Sequence, residues 1–177
     1  PILAYITSGS SSLFGNCYAL ENIYVPENSP YYKSVDGVLY DLAQTIIYCF
    51  PQAKDPTGFM LPDTITTIET YAFQNFKGEN LELPESLEII KERAFYYDTD
   101  NGNAKFTTAL KSIHIPQNVV SIGNYAFQMP TGYGISLESL TFAEDSKLQS
   151  IGLGAFMGHA LLKRVSLPDN VKTIGQS

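Results

Sequence analysis

The chain has 177 residues, 44% of them apolar or aromatic and 16% charged, a balance that suits one folded domain with a real core and excludes a disordered tail. Eleven Lys and Arg against 18 Asp and Glu give a formal net charge of −7, which opposes binding to a phosphate backbone or an anionic bilayer, so no nucleic-acid partner is expected. No stretch approaches the roughly 18 to 20 continuous apolar residues of a spanning helix, and Pro1 opens the chain without a signal-type run, so any export signal is expected upstream.

In chain order, residues 1–26 place Phe14 twelve residues before Pro26, with Leu20, Ile23 and Val25 between them. The same spacing returns at Phe156, Leu162, Val165, Leu167 and Pro168, so this segment reads as one copy of a repeated unit, with Leu13 where other copies hold Ala. Residues 27–60 break the pattern. Tyr31–Tyr40 and Thr45–Phe50 are rich in β-branched and aromatic residues and flank the connection Asp41-Leu42-Ala43-Gln44. A β-hairpin insertion is expected there, with Asp36-Gly37 as an additional tight turn.

Residues 61–177 carry the clearest copies. Leu61-Pro62, Ile65, Ile68 and Ala72-Phe73 return as Leu83-Pro84, Leu87, Ile90 and Ala94-Phe95, and as Ile115-Pro116, Val119, Ile122 and Ala126-Phe127. A fourth copy keeps Leu148, Ile151 and Ala155-Phe156 but replaces the apolar-Pro pair, with Phe142 displaced upstream, and a fifth begins at Leu167-Pro168 with Val171 and Ile174. The Phe-to-Phe steps of 22, 32 and 29 residues after Phe73 mark a basic unit of 22 or 23 residues with insertions, which a solenoid accommodates in surface loops. Ser112-Ile113-His114-Ile115 alternates polar and apolar, the period of a half-buried strand, and Pro116 ends it. Ile122, Ala126 and Phe127 then predict a short helical turn facing inward, with Ala small enough for neighbouring coils to approach and Phe stacking on the next Phe as a spine.

This pattern of apolar-Pro, paired apolars and Ile-x-x-x-Ala-Phe resembles the BspA-like, or Treponema pallidum type, leucine-rich repeat proteins. The segment Tyr32–Tyr40, followed by Thr45–Tyr48 and Pro51, is also similar to one that recurs between repeats in that family. The resemblance implies a leucine-rich repeat solenoid, strand-rich α+β, with curved stacked β-strands, short helices or turns on the other side and a β-hairpin insertion. It also implies export to the bacterial surface or surroundings and adhesion to host proteins, other cells or extracellular matrix. The family has no shared catalytic or ligand-binding motif to carry over. Its frequent Cys three residues after the Phe is present only as Cys17, the equivalent positions holding Phe76, Asp98, Pro130 and His159.

The outward sides of the strands are the binding candidates: Asn22 and Tyr24, Asn80 and Glu82, Ser112 and His114, Ser139 and Thr141, Arg164 and Ser166. In successive rungs about 4.8 Å apart they are expected to form a continuous polar sheet. Tyr31, Tyr32, Tyr96, Tyr97 and Tyr133, read as loop residues, offer a second route through carbohydrate binding. A pure spacer role and a polysaccharide-degrading enzyme on a similar β-helix are the remaining alternatives. No G-x-S-x-G elbow and no close inward-facing carboxylate pair is evident, so no catalytic residue is assigned. His114 and His159 lack accompanying ligands, the acidic run Asp98–Asn103 departs from a calcium loop at Gly102 and Ala109, and no metal or cofactor is expected. Cys17, at a core-facing repeat position, and Cys49 read as buried free thiols, although a fold-back of the hairpin over the first coil would let them pair.

Overall fold

The computed structural model describes residues 13–15, 17–98, 109–129 and 136–175. Ten short strands make two sheets: β1 (Tyr32–Val35), β2 (Val38–Asp41), β3 (Ile46–Cys49), β4 (Thr67–Ile68), β5 (Ile89–Ile90), β6 (Ser112–Ile115), β7 (Ser121–Ile122), β8 (Ser139–Phe142), β9 (Ser150–Ile151) and β10 (Thr173–Ile174). The larger sheet runs β1-β2-β3-β4-β5-β7-β9-β10, and β6 and β8 pair separately. From β3 onward every pairing in the large sheet is parallel, as a chain winding in one sense requires.

Register puts one residue type in one column. Ile47, Ile68, Ile90, Ile122, Ile151 and Ile174 are mutual partners from strand to strand. The first five are buried, whereas Ile174 on the last coil is 57% exposed. Beside this column the rings of Phe73, Phe95, Phe127 and Phe156 stack face to face at 4.9, 4.7 and 5.2 Å, with planes within 9° of parallel. Phe50, just beyond β3, continues the stack at 5.6 Å from Phe73, so the β-segment contributes a ring to the spine.

Here the structure corrects the helical expectation. Ile122 lies in a strand, no helix occurs among the described residues, and Ala-Phe forms a tight turn. Two causes combine. The residue before each Ala adopts a left-handed conformation, with φ of 60° at Tyr71, 52° at Arg93, 55° at Tyr125 and 57° at Gly154, which interrupts any helical run. Each Phe amide is then committed to the next coil: Phe50 donates to the Ala72 carbonyl (2.7 Å), Phe73 to Ala94 (2.8 Å), Phe95 to Ala126 (2.6 Å) and Phe127 to Ala155 (2.8 Å). A strand followed by this turn gives the same i, i+4, i+5 spacing as a helical turn.

The apolar-Pro corner also has a repeated chemistry. Ile65, Leu87, Val119 and Val171 close turns by donating to the carbonyls of Pro62, Pro84, Pro116 and Pro168. In the copy without Pro, Phe142 pairs with Ile115 and the Ala143 carbonyl accepts from Ser146, so Ala143 takes the proline's place. The polar residue before the turn's closing apolar reaches back one coil: Thr64 Oγ1 donates to the Gln44 carbonyl, Ser86 Oγ to Ile65, Asn118 Nδ2 to Glu85 and Asn170 Nδ2 to Ser146, each at 2.7 Å. These bonds satisfy corner carbonyls that no strand partner reaches.

At the amino-terminal end β1, β2 and β3 form an antiparallel meander. The Asp36-Gly37 connection is a two-residue turn with φ of 48° and 75°, the twist-compatible hairpin type, and Asp41 caps the next turn by accepting from the Thr45 and Ile46 amides, both at 2.7 Å. The meander is covered on both faces. Val38, Tyr40 and Ile47 join the main core, while Tyr32, Leu39 and Cys49 form a second cluster with Phe14, Ile23 and Val25.

Candidate functional site

The second sheet carries the polar face. Ser112 of β6 pairs with Ser139 of β8, His114 with Thr141, and Asn80 bridges to Ser112 from the preceding coil. Ile113, Ile115 and Leu140 turn into the core, and the alternate side chains face out. Those side chains bond to one another: Ser112 Oγ donates to Asn80 Oδ1 at 2.5 Å, and His114 Nδ1 and Thr141 Oγ1 share a hydrogen bond of 2.9 Å. Along one edge Lys111 Nζ meets Glu79 Oε1 at 2.6 Å, and that hydrogen bond holds the Lys111 ammonium above its ordinary pKa. Asn80, Glu82, Ser112, His114, Ser139 and Thr141 line an open groove of about 500 Å³.

The expected continuous sheet is shorter than the sequence pattern implied. Asn22 and Tyr24 sit at the far amino-terminal end, because the meander stands between their coil and the main core; the Ile23 amide donates to the Gly37 carbonyl and the Asn22 side chain packs over that turn. Arg164 and Ser166 lie exposed in a stretch outside any strand. The tyrosine set is corrected as well. Tyr32 is buried in the second cluster, and Tyr97 is buried beside Ala109 and Met129 with its hydroxyl donating to the Phe76 carbonyl; burial raises its pKa. Tyr96 is half-buried, Tyr31 is exposed, and Tyr133 lies outside the described residues, as does most of the acidic run Asp98–Asn103. Cys17 is exposed and only Cys49 is buried, both as free thiols.

A family model for the BspA type leucine rich repeat region matches residues 44–128 and 99–177, with six copies. The chain belongs to the BspA-type leucine-rich repeat family. Among solved structures, this BspA-type chain is similar to a leucine-rich repeat protein from Eubacterium ventriosum, with 22% identity and a TM-score of 0.62 over 89% of this chain and 51% of that one. It is also similar to the pneumococcal vaccine antigen PcpA, with 21% identity and a TM-score of 0.45 over 89% of this chain and 45% of that one. The chain thus spans about half the length of these proteins. No curated protein matches it significantly.

Within the BspA-type frame, one ridge escaped sequence reasoning. The left-handed residues Tyr71, Arg93 and Tyr125 come from successive coils, and the rings of Tyr71, Tyr96 and Tyr125 surround the Arg93 guanidinium at 5.9, 5.8 and 5.2 Å from their centres. Such contacts are attractive by about 0.5–1 kcal/mol each at exposed sites. The signal was available: all three occupy the position just before Ala in the repeat. Among the described residues no group of three His, Cys, Asp or Glu is placed to hold a metal, and no helix is long and apolar enough to cross a membrane.

His159 is structural in this BspA-type coil. Its Nδ1 accepts from the Leu137 amide at 3.0 Å, which leaves Nε2 to carry the proton and donate to the Phe127 carbonyl at 2.8 Å. Burial holds the imidazole below its ordinary pKa of 6.5. The unfolded chain therefore binds the proton more readily, so stability is full above about pH 6.5 and falls as pH drops toward the lowered folded value. Urea midpoints are expected to fall between about pH 7.5 and about pH 5, and His159→Asn should flatten that slope while lowering the midpoint throughout. An unchanged slope in the variant would assign the acid sensitivity to other groups.

Proposed function

We propose that this BspA-type solenoid is a non-enzymatic interaction or adhesion module of an exported or surface-displayed bacterial protein. It binds a host or microbial macromolecule, a protein in the first instance, through the face made by Asn80, Glu82, Ser112, His114, Ser139 and Thr141. The observation that carries this reading is that polar side chains from three coils converge on one groove, where Ser112 bonds Asn80 and His114 bonds Thr141. Pre-ordered groups lose little rotamer freedom on binding, so many modest contacts sum to useful affinity. Membership of the BspA-type family supports the interaction role, and the family resemblance supports the extracellular setting.

The test is direct binding of the chain to a panel of extracellular-matrix proteins and host or microbial polysaccharides, beside a Glu82→Ala, His114→Ala, Thr141→Ala variant. Saturable protein binding weakened at least about tenfold in the variant is the expected result, equivalent to roughly 1.4 kcal/mol. Binding to polysaccharide alone, unaffected by these changes, would move the site toward Tyr24 and Tyr31, which are 83% and 51% exposed. No binding to any probe would leave a spacer role.

A further inference from the structure

The turn holding Cys17 is fastened over the end of β3. The Cys17 amide donates to the Phe14 carbonyl at 3.2 Å and the Leu20 amide to the Cys17 carbonyl at 2.9 Å. The same turn is tied down from the other side, by Gln52 Nε2 donating to the Phe14 carbonyl at 3.3 Å and the Ala53 amide to the Leu20 carbonyl at 2.8 Å. Cys49, the last residue of β3, is buried in the cluster that Phe14, Ile23 and Val25 of this coil complete. The first coil therefore folds back over the strand that carries Cys49. The exposed thiol rides on the flap that covers the buried one. Burial pushes the Cys49 thiol up to about 12, with Cys17 adding to the effect.

We propose that Cys17 and Cys49 are a thiol–disulfide site that closes under oxidising conditions and latches the amino-terminal coil onto the meander. The exposed Cys17 thiolate attacks a small disulfide such as oxidised glutathione, expelling one glutathione thiolate and leaving glutathione on Cys17. Cys49 then loses its proton to solvent and attacks the Cys17 sulfur, expelling the second glutathione. Two protein thiols are oxidised and one glutathione disulfide is reduced to two thiols. The second step is the slow one, because Cys49 ionises only when the flap lifts or the pH is high. The latch is independent of which partner the polar face takes.

The test incubates the chain in a series of oxidised and reduced glutathione mixtures, quenches with an alkylating agent, and reads intact mass and linked peptides. The expected product is a monomer lighter by two hydrogens, with peptides around Cys17 and Cys49 joined and no alkylated thiol. Its formation should quicken as pH rises. Proteolysis within residues 17–25 should slow on the order of a hundredfold on oxidation, because the closed loop restrains local opening. Cys17→Ser, at an exposed position, should keep the reduced chain's cleavage rate in either buffer. A persistent glutathione adduct on Cys17 with Cys49 still alkylable after unfolding, or a dimer joined through Cys17, would overturn the proposal.

Discussion

Phe95→Ala is expected to lower the free energy of unfolding by about 3–5 kcal/mol. The ring is 1% exposed and sits between Phe73 and Phe127, its centre 4.9 and 4.7 Å from theirs with planes 3° and 6° from parallel. Truncation removes the transfer energy of a buried aromatic, two stacking contacts of about 0.5–1.5 kcal/mol each, and the support for the backbone on either side. Collapse cannot fill the gap, because the Phe95 amide and the Ala94 carbonyl hold three coils at fixed spacing. Urea denaturation of the variant beside Phe95→Leu should show the Leu chain losing far less. A midpoint unmoved in Phe95→Ala would remove this ring from the core.

Gly158→Ala should cost about 2–5 kcal/mol, from backbone strain and overpacking together. Gly158 adopts φ 93°, which L side chains rarely reach, and a Cβ there would stand 1.8 Å from the Met129 carbonyl oxygen. That oxygen belongs to backbone already anchored, since the Met129 amide donates to the Met157 carbonyl at 2.9 Å. Relief requires moving one coil off the next, and the adjacent His159 bridge to Leu137 and Phe127 would be strained with it. Thermal unfolding measures the loss. A variant as stable as the parent, with amide exchange at Met129 unchanged, would contradict the close approach.

Much of this architecture can be read from residue spacing, since the recurring Ile, Ala and Phe are the residues every coil must bury. The stacked rings of Phe73, Phe95, Phe127 and Phe156 follow directly from it. The turn at Ala-Phe does not, because left-handed backbone at Tyr71, Arg93 and Tyr125 is carried by residues with no intrinsic preference for it and is imposed by bonds between coils. Phe14 matches the repeat by spacing but packs in the second cluster, because the meander occupies the place beside the main core. Of the candidate face, the alternation at Ser112 and His114 was legible, as was that at Ser139 and Thr141. Which coils adjoin was not, since insertions of unequal length hide it. Tyr97 read as a loop residue because Ala109 and Met129, which cover it, come from later coils.

The direction of the inter-coil hydrogen bonds has a mechanical side. They run from coil to coil, so a pull on the two chain ends strains the outermost ladder first and leaves inner ladders unloaded until it yields. Each of these ladders is short, β10 joining β9 and β9 joining β7 through two residues apiece. Stretching is expected to release the described coils one at a time, each surrendered length lowering the tension on the rest. A solenoid built this way dissipates a sudden load while the rungs that remain keep their polar face intact.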